Sequence, residues 1–326
     1  MDVVRIIESG VEHHAVSELG DLLEKDDLIW VDIPTCDDEA VTVLRDVFAF
    51  HPLAIRDCQE RNRVPRIHPY DDHVLIVMHT PERGRHGHVH YVELDQLIGS
   101  RYLITVHGPV NPAVPAEIPL RETQAVLRRL ESGRLHPATS YELSRAISTA
   151  IARQQERFIE DLTKEVWSLE QRVTSGHLGN PEHFLEEMFE ARHGLVAVRT
   201  IAALDREVFE LLLTLRRAVP AEDRMLVEDI VDRFQRVRSI ADGEKEYLQG
   251  VIEFYRTRTE TKMTVAAERL AVIAVVTLPI TALSSVIGMN LIVNERTDFP
   301  LLGLVLLVMV AMSALFLTWA KRQGWW

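Results

Sequence analysis

The feature that most limits this chain lies near its C-terminal end, where Leu270 to Asn290 and Leu301 to Ala320 are each almost wholly apolar. Each run matches the roughly 20 residues that span a hydrocarbon core of about 30 Å. Only Leu291 to Pro300 lies between them, too short for a folded domain, so the two runs form a hairpin and both chain ends lie on one side. Arg256, Arg258, Lys262 and Arg269 precede the first run and Lys321 and Arg322 follow the second, while the connector carries only Arg296. The excess of positive charge marks the cytoplasmic side. The pattern predicts a multi-pass protein of the cell inner (plasma) membrane with both termini and most of its mass in the cytoplasm.

At 326 residues and 26% charged, the chain has room for one sizeable soluble domain beside the hairpin. Its opening, Met1-Asp2-Val3-Val4-Arg5, has neither the basic start nor the apolar core of a secretory signal, so the first span is expected to direct insertion. Cys36 and Cys58 have no CxxC spacing and are expected to be free thiols in a reducing cytosol. A formal net charge of −13 argues against a nucleic-acid partner. It suits a body that attracts cations, although solubility alone also makes many proteins acidic.

Residues 1–110 read as a cytoplasmic α/β domain. Leu28 to Ile33, Val74 to His79, Val89 to Leu97 and Tyr102 to His107 are short runs rich in β-branched and aromatic residues. Asp37 to Phe50 has helical apolar spacing, and Gly108 to Pro119, with four prolines, reads as a linker. Residues 111–220 form a cytoplasmic helical region: Glu142 to Val173 and Glu182 to Leu215 predict two long antiparallel helices, with Gly176, Gly179 and Pro181 at the turn. Residues 221–290 read as a stalk helix continuing into the first span, close to 100 Å at about 1.5 Å per residue. Its Ile230, Phe234, Val237, Ile240, Tyr247, Val251 and Phe254 fall near a 3.5-residue repeat, a seam that asks for copies of the same chain around it. Residues 291–300 are the extracytoplasmic loop, and 301–326 the second span with its basic tail.

Two spans cannot enclose a pore, but a ring of first spans can. Thr277, Thr281, Ser284 and Gly288 are spaced 4, 3 and 4, so they share one helix stripe. Such residues also serve close helix packing, or bond back to their own helix. No acid lies inside either span and no phosphate-binding loop, zinc-protease or nucleophile-elbow motif occurs, which argues against a pump and against an enzyme.

Pro279-Ile280-Thr281 and Gly288-Met289-Asn290, closing the first of two C-terminal spans after a long cytoplasmic chain, resemble the CorA family of magnesium and cobalt transport proteins. His51-Pro52-Leu53, Asp57, Arg63 to Arg66 and Tyr70 resemble its amino-terminal domain more loosely, extending the likeness over most of the chain. The resemblance implies an α+β cytoplasmic domain followed by a two-helix transmembrane hairpin, in a funnel-shaped homopentamer whose stalk helix lines the pore. It implies channel-like uptake of divalent cations down the membrane potential, magnesium first and cobalt or nickel next. Asn290 is then the selectivity residue, with Leu278, Thr281 and Ser285 lining the pore below it and Leu270 at the gate, where Ala267 stands in place of a bulky residue. Gly288 would let the backbone turn, and Met289 would pack that turn. Amide oxygens suit an ion that sheds its waters reluctantly.

The family closes when magnesium bridges cytoplasmic carboxylates of neighbouring subunits. By resemblance that role falls on Asp229, with Asp232 beside it; a solvated acidic face on a stalk helix is the other reading. Where the partner carboxylate is expected, this chain has His86, His88 and His90. Placed alternately on a strand they would share a face and suit cobalt, nickel or zinc, unless they are merely the polar edge of a hairpin tip. The family's Met-Pro-Glu-Leu loop is replaced by Val293 to Asp298, where Glu295 and Asp298 could gather cations against Arg296. A ZntB-like zinc transporter and a membrane-anchored coiled-coil scaffold or sensor without transport stay open as alternatives.

Overall fold

The computed structural model describes residues 1–8, 10–176, 179–215, 217–291 and 299–322. They fall into two units, Met1–Val251 and Ile252–Trp326.

In the first unit a seven-stranded sheet is formed by β1 (Asp2–Ile7), β2 (Gly10–His14), β3 (Leu28–Ile33), β4 (Arg66–Pro69), β5 (His73–Arg83), β6 (Val89–Gly99) and β7 (Tyr102–His107). Its order is β2-β1-β3-β7-β6-β5-β4. Only β3 and β7 pair in parallel; the other neighbours are antiparallel. Every residue of β3 is buried, which is why its sequence lacks a polar alternation: both faces of the sheet are covered. Three strands go beyond those expected from sequence. The short β4 and β2 lie at the sheet edges, and β2, with Glu12, His13 and His14, has almost no apolar content to announce it.

On one face, Ile29, Val31 and Ile33 join Leu75, Val77, Ile104 and Val106 in a core completed by α1 (Leu19–Leu23), α2 (Asp38–Asp46) and α3 (Pro52–Gln59). Asp37 caps α2 by accepting from the Ala40 amide at 2.9 Å, and Pro52 occupies the first turn of α3. The other face meets longer helices: α4 (Arg121–Glu131), α5 (Ser140–Ser175) and α6 (Pro181–Thr214). Thr139 caps α5, and Gly176, at φ +80°, ends it in the left-handed conformation that a side chain would resist. Cross-links pair α5 and α6 antiparallel: Gln155 Nε2 donates to Asp205 Oδ2 at 2.7 Å, and Arg172 pairs with Glu187. On β6, Gln96 accepts from the Ser144 hydroxyl at 2.7 Å, tying α5 to the sheet. Gln155 Nε2 also reaches the His79 carbonyl at 3.0 Å.

The last soluble element is the start of α7 (Arg224–Leu291), a 68-residue helix. Its apolar seam corrects the expectation drawn from periodicity. Ile230, Phe234, Val237 and Val251 are already buried by the chain itself, together with Val227, Ala241 and Leu248. Phe234 stacks on Phe209 of α6 with ring centroids 6.0 Å apart. Ile240, Tyr247 and Phe254 stay exposed, so only that part of the seam is left for another chain.

The second unit holds the rest of α7 and α8 (Phe299–Arg322). On α7, Val272, Val275, Val276, Pro279, Ile280 and Leu283 are half-covered; on α8, Val305, Met309, Met312 and Phe316 are. Each set recurs at helical spacing, as two helices resting one face on each other would require.

Removing the buried ring in Phe234→Ala is expected to destabilise the soluble unit by roughly 3–5 kcal/mol. Met225→Ala, at a side chain 78% exposed, should change it by less than about 0.5 kcal/mol. Thermal melts of the two variants in detergent check the contrast.

Candidate functional site

Both membrane-length helices have apolar 18-residue windows, of mean hydropathy 1.8 within Arg224–Ser285 and 2.3 within Gly303–Arg322. Only 0% and 6% of those windows is buried, whereas a core helix of a soluble protein would be mostly covered. Apolar side chains left this bare need lipid or other chains around them.

The expected pore residues lie on the uncovered side of α7. Leu270 and Leu278 are each 67% exposed, and Thr281, Ser285 and Gly288 are exposed as well. Thr277 and Thr281 donate their hydroxyls to the Ile273 and Thr277 carbonyls, both at 2.8 Å. That back-bonding hides the polarity of the side chain while leaving the hydroxyl oxygen able to accept. Gly288 departs from the expected turn. It sits inside α7, which runs on to Leu291, and a Cβ there would meet nothing within 4 Å. Met289 and Asn290 share that helical backbone; their side chains lie outside the described residues, as do Glu295 and Asp298 entirely.

In the soluble unit, Asp229 accepts hydrogen bonds from Arg145 Nε at 2.7 Å and Arg233 Nε at 3.1 Å. Partial burial raises its pKa, but the two guanidinium contacts outweigh that and leave it below the ordinary carboxylate value. Any cation arriving at Asp229 therefore competes with two arginines. Asp232 is exposed.

The three histidines do not share a strand face. The hairpin tip folds into a 3₁₀ turn, Arg85–Gly87, which takes up His86 at φ +52°, and β6 starts only at Val89. Gly87, at φ +69°, is pressed on α6: a Cβ there would stand 2.4 Å from Glu190 Cγ. His88 and His90 do meet, edge to face at 4.6 Å, and burial followed by the His88 charge lowers the His90 pKa. Among the described residues no three His, Cys, Asp or Glu side chains are placed to hold a metal ion.

A group of acids that motif reading passed over lies under the sheet. Glu93 and Asp95 stand two apart on β6 and are both buried, a pattern visible in the sequence as acids inside an apolar strand. Burial raises the Glu93 pKa to about 7 against the hydrogen bonds that Glu93 accepts from Asn62, whose amide N lies 2.9 Å from Oε2. Burial, then the Glu93 charge, pushes Asp95 well above its ordinary value, and the neighbouring Cys58 thiol offsets little of that rise. Cys58 and Cys36 are free thiols; burial first and the Asp95 charge next push both up, Cys36 to about 11, so neither is primed as a nucleophile.

The family model for the CorA-like Mg2+ transporter protein matches residues 25–322. The chain belongs to the CorA family. Within it, the "Putative metal ion transporter YfjQ" of Bacillus subtilis (strain 168) is 23% identical over 306 residues, 91% of this chain and 89% of that protein. The cobalt/magnesium transport protein CorA of Thermotoga maritima is 20% identical over 299 residues, 88% of this chain and 80% of that one. The complete structure of the CorA magnesium transporter from Methanocaldococcus jannaschii superposes with TM-score 0.81 at 18% identity, covering 100% of this chain and 99% of that one. The ZntB cytoplasmic domain from Vibrio parahaemolyticus gives 0.61 at 8% identity over 80% of this chain and 98% of its own. These two likenesses are of fold. As a CorA family member the chain is a metal-ion transport protein of the membrane, with an α/β soluble domain, a long helix and a C-terminal apolar helix.

A carboxyl group with a folded pKa raised from 4.5 to about 7 contributes stability that is present below about pH 4.5 and lost as pH rises through 7. Unfolding free energy is therefore expected to fall across that window, by at most about 1.4 kcal/mol per pH unit for one proton, and the melting temperature falls with it. Glu93→Gln should make the fall shallower, because only the Asp95 contribution remains. Melts of both proteins between pH 5 and 8 check the sign.

Proposed function

We propose that this chain is one subunit of a funnel-shaped homopentamer that lets divalent cations into the cell through a pore lined by the membrane part of α7. The observation that carries the proposal is the side of α7 running from Leu270 through Leu278, Thr281 and Ser285 to Gly288, left exposed by its own chain inside an apolar helix of a CorA family member. A lone anchor has no use for hydroxyls on its uncovered side.

In this reading the amide of Asn290 stands at the outer mouth and accepts hydrogen bonds from the water shell of the ion. Magnesium keeps that shell, so neutral oxygens can hold it and release it, where a carboxylate ring would bind too tightly. The hydroxyl oxygens of Thr281 and Ser285 continue the polar path, and Leu278 and Leu270 form its apolar constrictions. Magnesium is the first candidate, as the names of the relatives suggest, followed by cobalt and nickel. The driving force is the membrane potential: a divalent ion moving inward gains roughly 4.6 kcal/mol per 100 mV, twice the single-charge value. Both termini lie in the cytoplasm of an inner-membrane protein, where the basic residues that flank the spans favour them. Asp229 is the regulatory carboxylate, and its arginine partners set the metal concentration at which a bridging cation takes their place.

Asn290→Ala, reconstituted in vesicles under an inside-negative potential, is expected to lose at least about 10-fold in magnesium flux while keeping its oligomeric size. Unchanged flux would remove Asn290 from the pore and return the hairpin to the role of an anchor. Mass measurement in detergent should give five copies; a monomer would end the ring reading.

A further inference from the structure

On a chain of net charge −13, one stretch of surface has the opposite character. A cleft of ≈ 400 Å³ between α4 and α5 is lined by five arginines and a single carboxylate, that of Glu122. A second cleft, of ≈ 240 Å³, shares Arg129 and Arg153 with the first and adds Arg145, Arg233 and one carboxylate, that of Glu142. Helical register gathers them. Arg121, Arg128 and Arg129 stand at i, i+7 and i+8 on α4, and Arg153 and Arg157 at i and i+4 on α5, so each helix turns one basic face to the same space.

Only part of this charge is spent inside the protein. Glu122 is buried and bonded to Arg121 Nε at 2.9 Å, Arg121 Nη1 also donates to Glu82 at 3.3 Å, and Arg157 donates to the neutral Gln154 Oε1 at 2.7 and 2.9 Å. Arg145 and Arg233 are engaged by Asp229. Among the described residues, no side-chain hydrogen bond or ion pair reaches Arg128, Arg129 or Arg153, and Arg121 Nη2 is buried without a partner. Cations crowded around two joined clefts repel one another, and among the described residues Arg128, Arg129 and Arg153 have no carboxylate of their own to offset this; a multiply charged anion would relieve both the repulsion and the orphaned donor. Guanidinium forks match phosphate oxygens two at a time, and forks converging from two helices suit several phosphates in a row better than one carboxylate. The larger cleft also falls in the size range of small-molecule sites.

We propose that the α4/α5 cleft binds an oligophosphate anion, either a nucleoside triphosphate or an inorganic polyphosphate, through Arg128, Arg129 and Arg153. The proposal does not rest on the reading of α7 as a pore, although the smaller cleft shares Arg145 and Arg233 with Asp229.

The test is calorimetric titration of the full-length protein in detergent with ATP and, separately, with inorganic tripolyphosphate, in magnesium-free buffer at 50 and 200 mM salt. Saturable binding that weakens with salt is expected, falling at least 10-fold in the Arg129→Gln/Arg153→Gln double variant and unchanged in Arg56→Gln, a substitution on α3. Arg128→Gln, at an exposed position, should weaken binding without disturbing packing. Equal affinity for the two ligands assigns the site to the phosphates alone, and tighter ATP assigns it to a nucleotide; either upholds the proposal. It is overturned by absence of saturable binding up to millimolar ligand, by binding that the double variant leaves unchanged, or by a shift of that variant to a smaller oligomer, which would make the patch a contact between copies.

Discussion

Hydrocarbon offers no partner to a backbone N–H or C=O, so a chain that enters it must bring its hydrogen bonds with it. Helix α7 does this over 68 residues. Its first turns belong to the soluble unit, where Val227, Ile230, Phe234 and Val237 are buried among the chain's own side chains. Its membrane-length part leaves Ile273, Leu278 and other apolar groups exposed by their own chain. One element thus answers to two solvents, and the hydrogen-bond ladder common to both is what allows it. Proline is tolerated at 279 because the surrounding turns remain helical through Leu291.

The soluble unit solves a different problem, that of hiding a sheet on both faces. Apolar residues do most of it, but the hydrogen bonds that fix the layers are polar and buried. Trp30 Nε1 donates to Thr105 Oγ1 at 2.9 Å, Thr105 donates to Asp32, and His107 Nε2 lies 3.0 Å from the same Asp32 oxygen. Ser144 and Gln96 do the same between α5 and β6. Such networks favour one register of strands and helices over its neighbours, because a slip would leave each member unpaired in a low-dielectric interior. Glu93 and Asp95 stand at the edge of this economy. They are placed where ionisation is costly, and the unit answers by favouring their protonated forms.

Much of the architecture was legible in the residues. The two apolar runs announced α7 and α8, and β-branched runs announced β3 and β5 to β7, because burial on both faces demands uninterrupted apolar sequence. The long pair α5 and α6 was readable from period and from Gly176 and Pro181. Edge strands were not, since β2 and β4 are paired on one side only and need few apolar residues. The histidine tip misled because alternation along a sequence becomes a shared face only if the backbone stays extended, and His86 and Gly87, both at positive φ, bend it into a turn. At the membrane end, the Gly-Met-Asn motif pointed to the family, while the back-bonded hydroxyls of Thr277 and Thr281 emerged only with the helix geometry.

By itself, the sequence determined the two membrane-length apolar helices, the α/β character of the amino-terminal part and the family, because each depends on composition and spacing along one line. Tertiary structure alone decided which half of the α7 seam the chain covers for itself, that Asp229 is held by two arginines, that Glu93 and Asp95 are stripped of water, and that arginines from separate helices share one cleft. Each of these depends on residues far apart in sequence arriving at the same place, and the strength of a charge or the cost of an apolar surface is set by what arrives beside it.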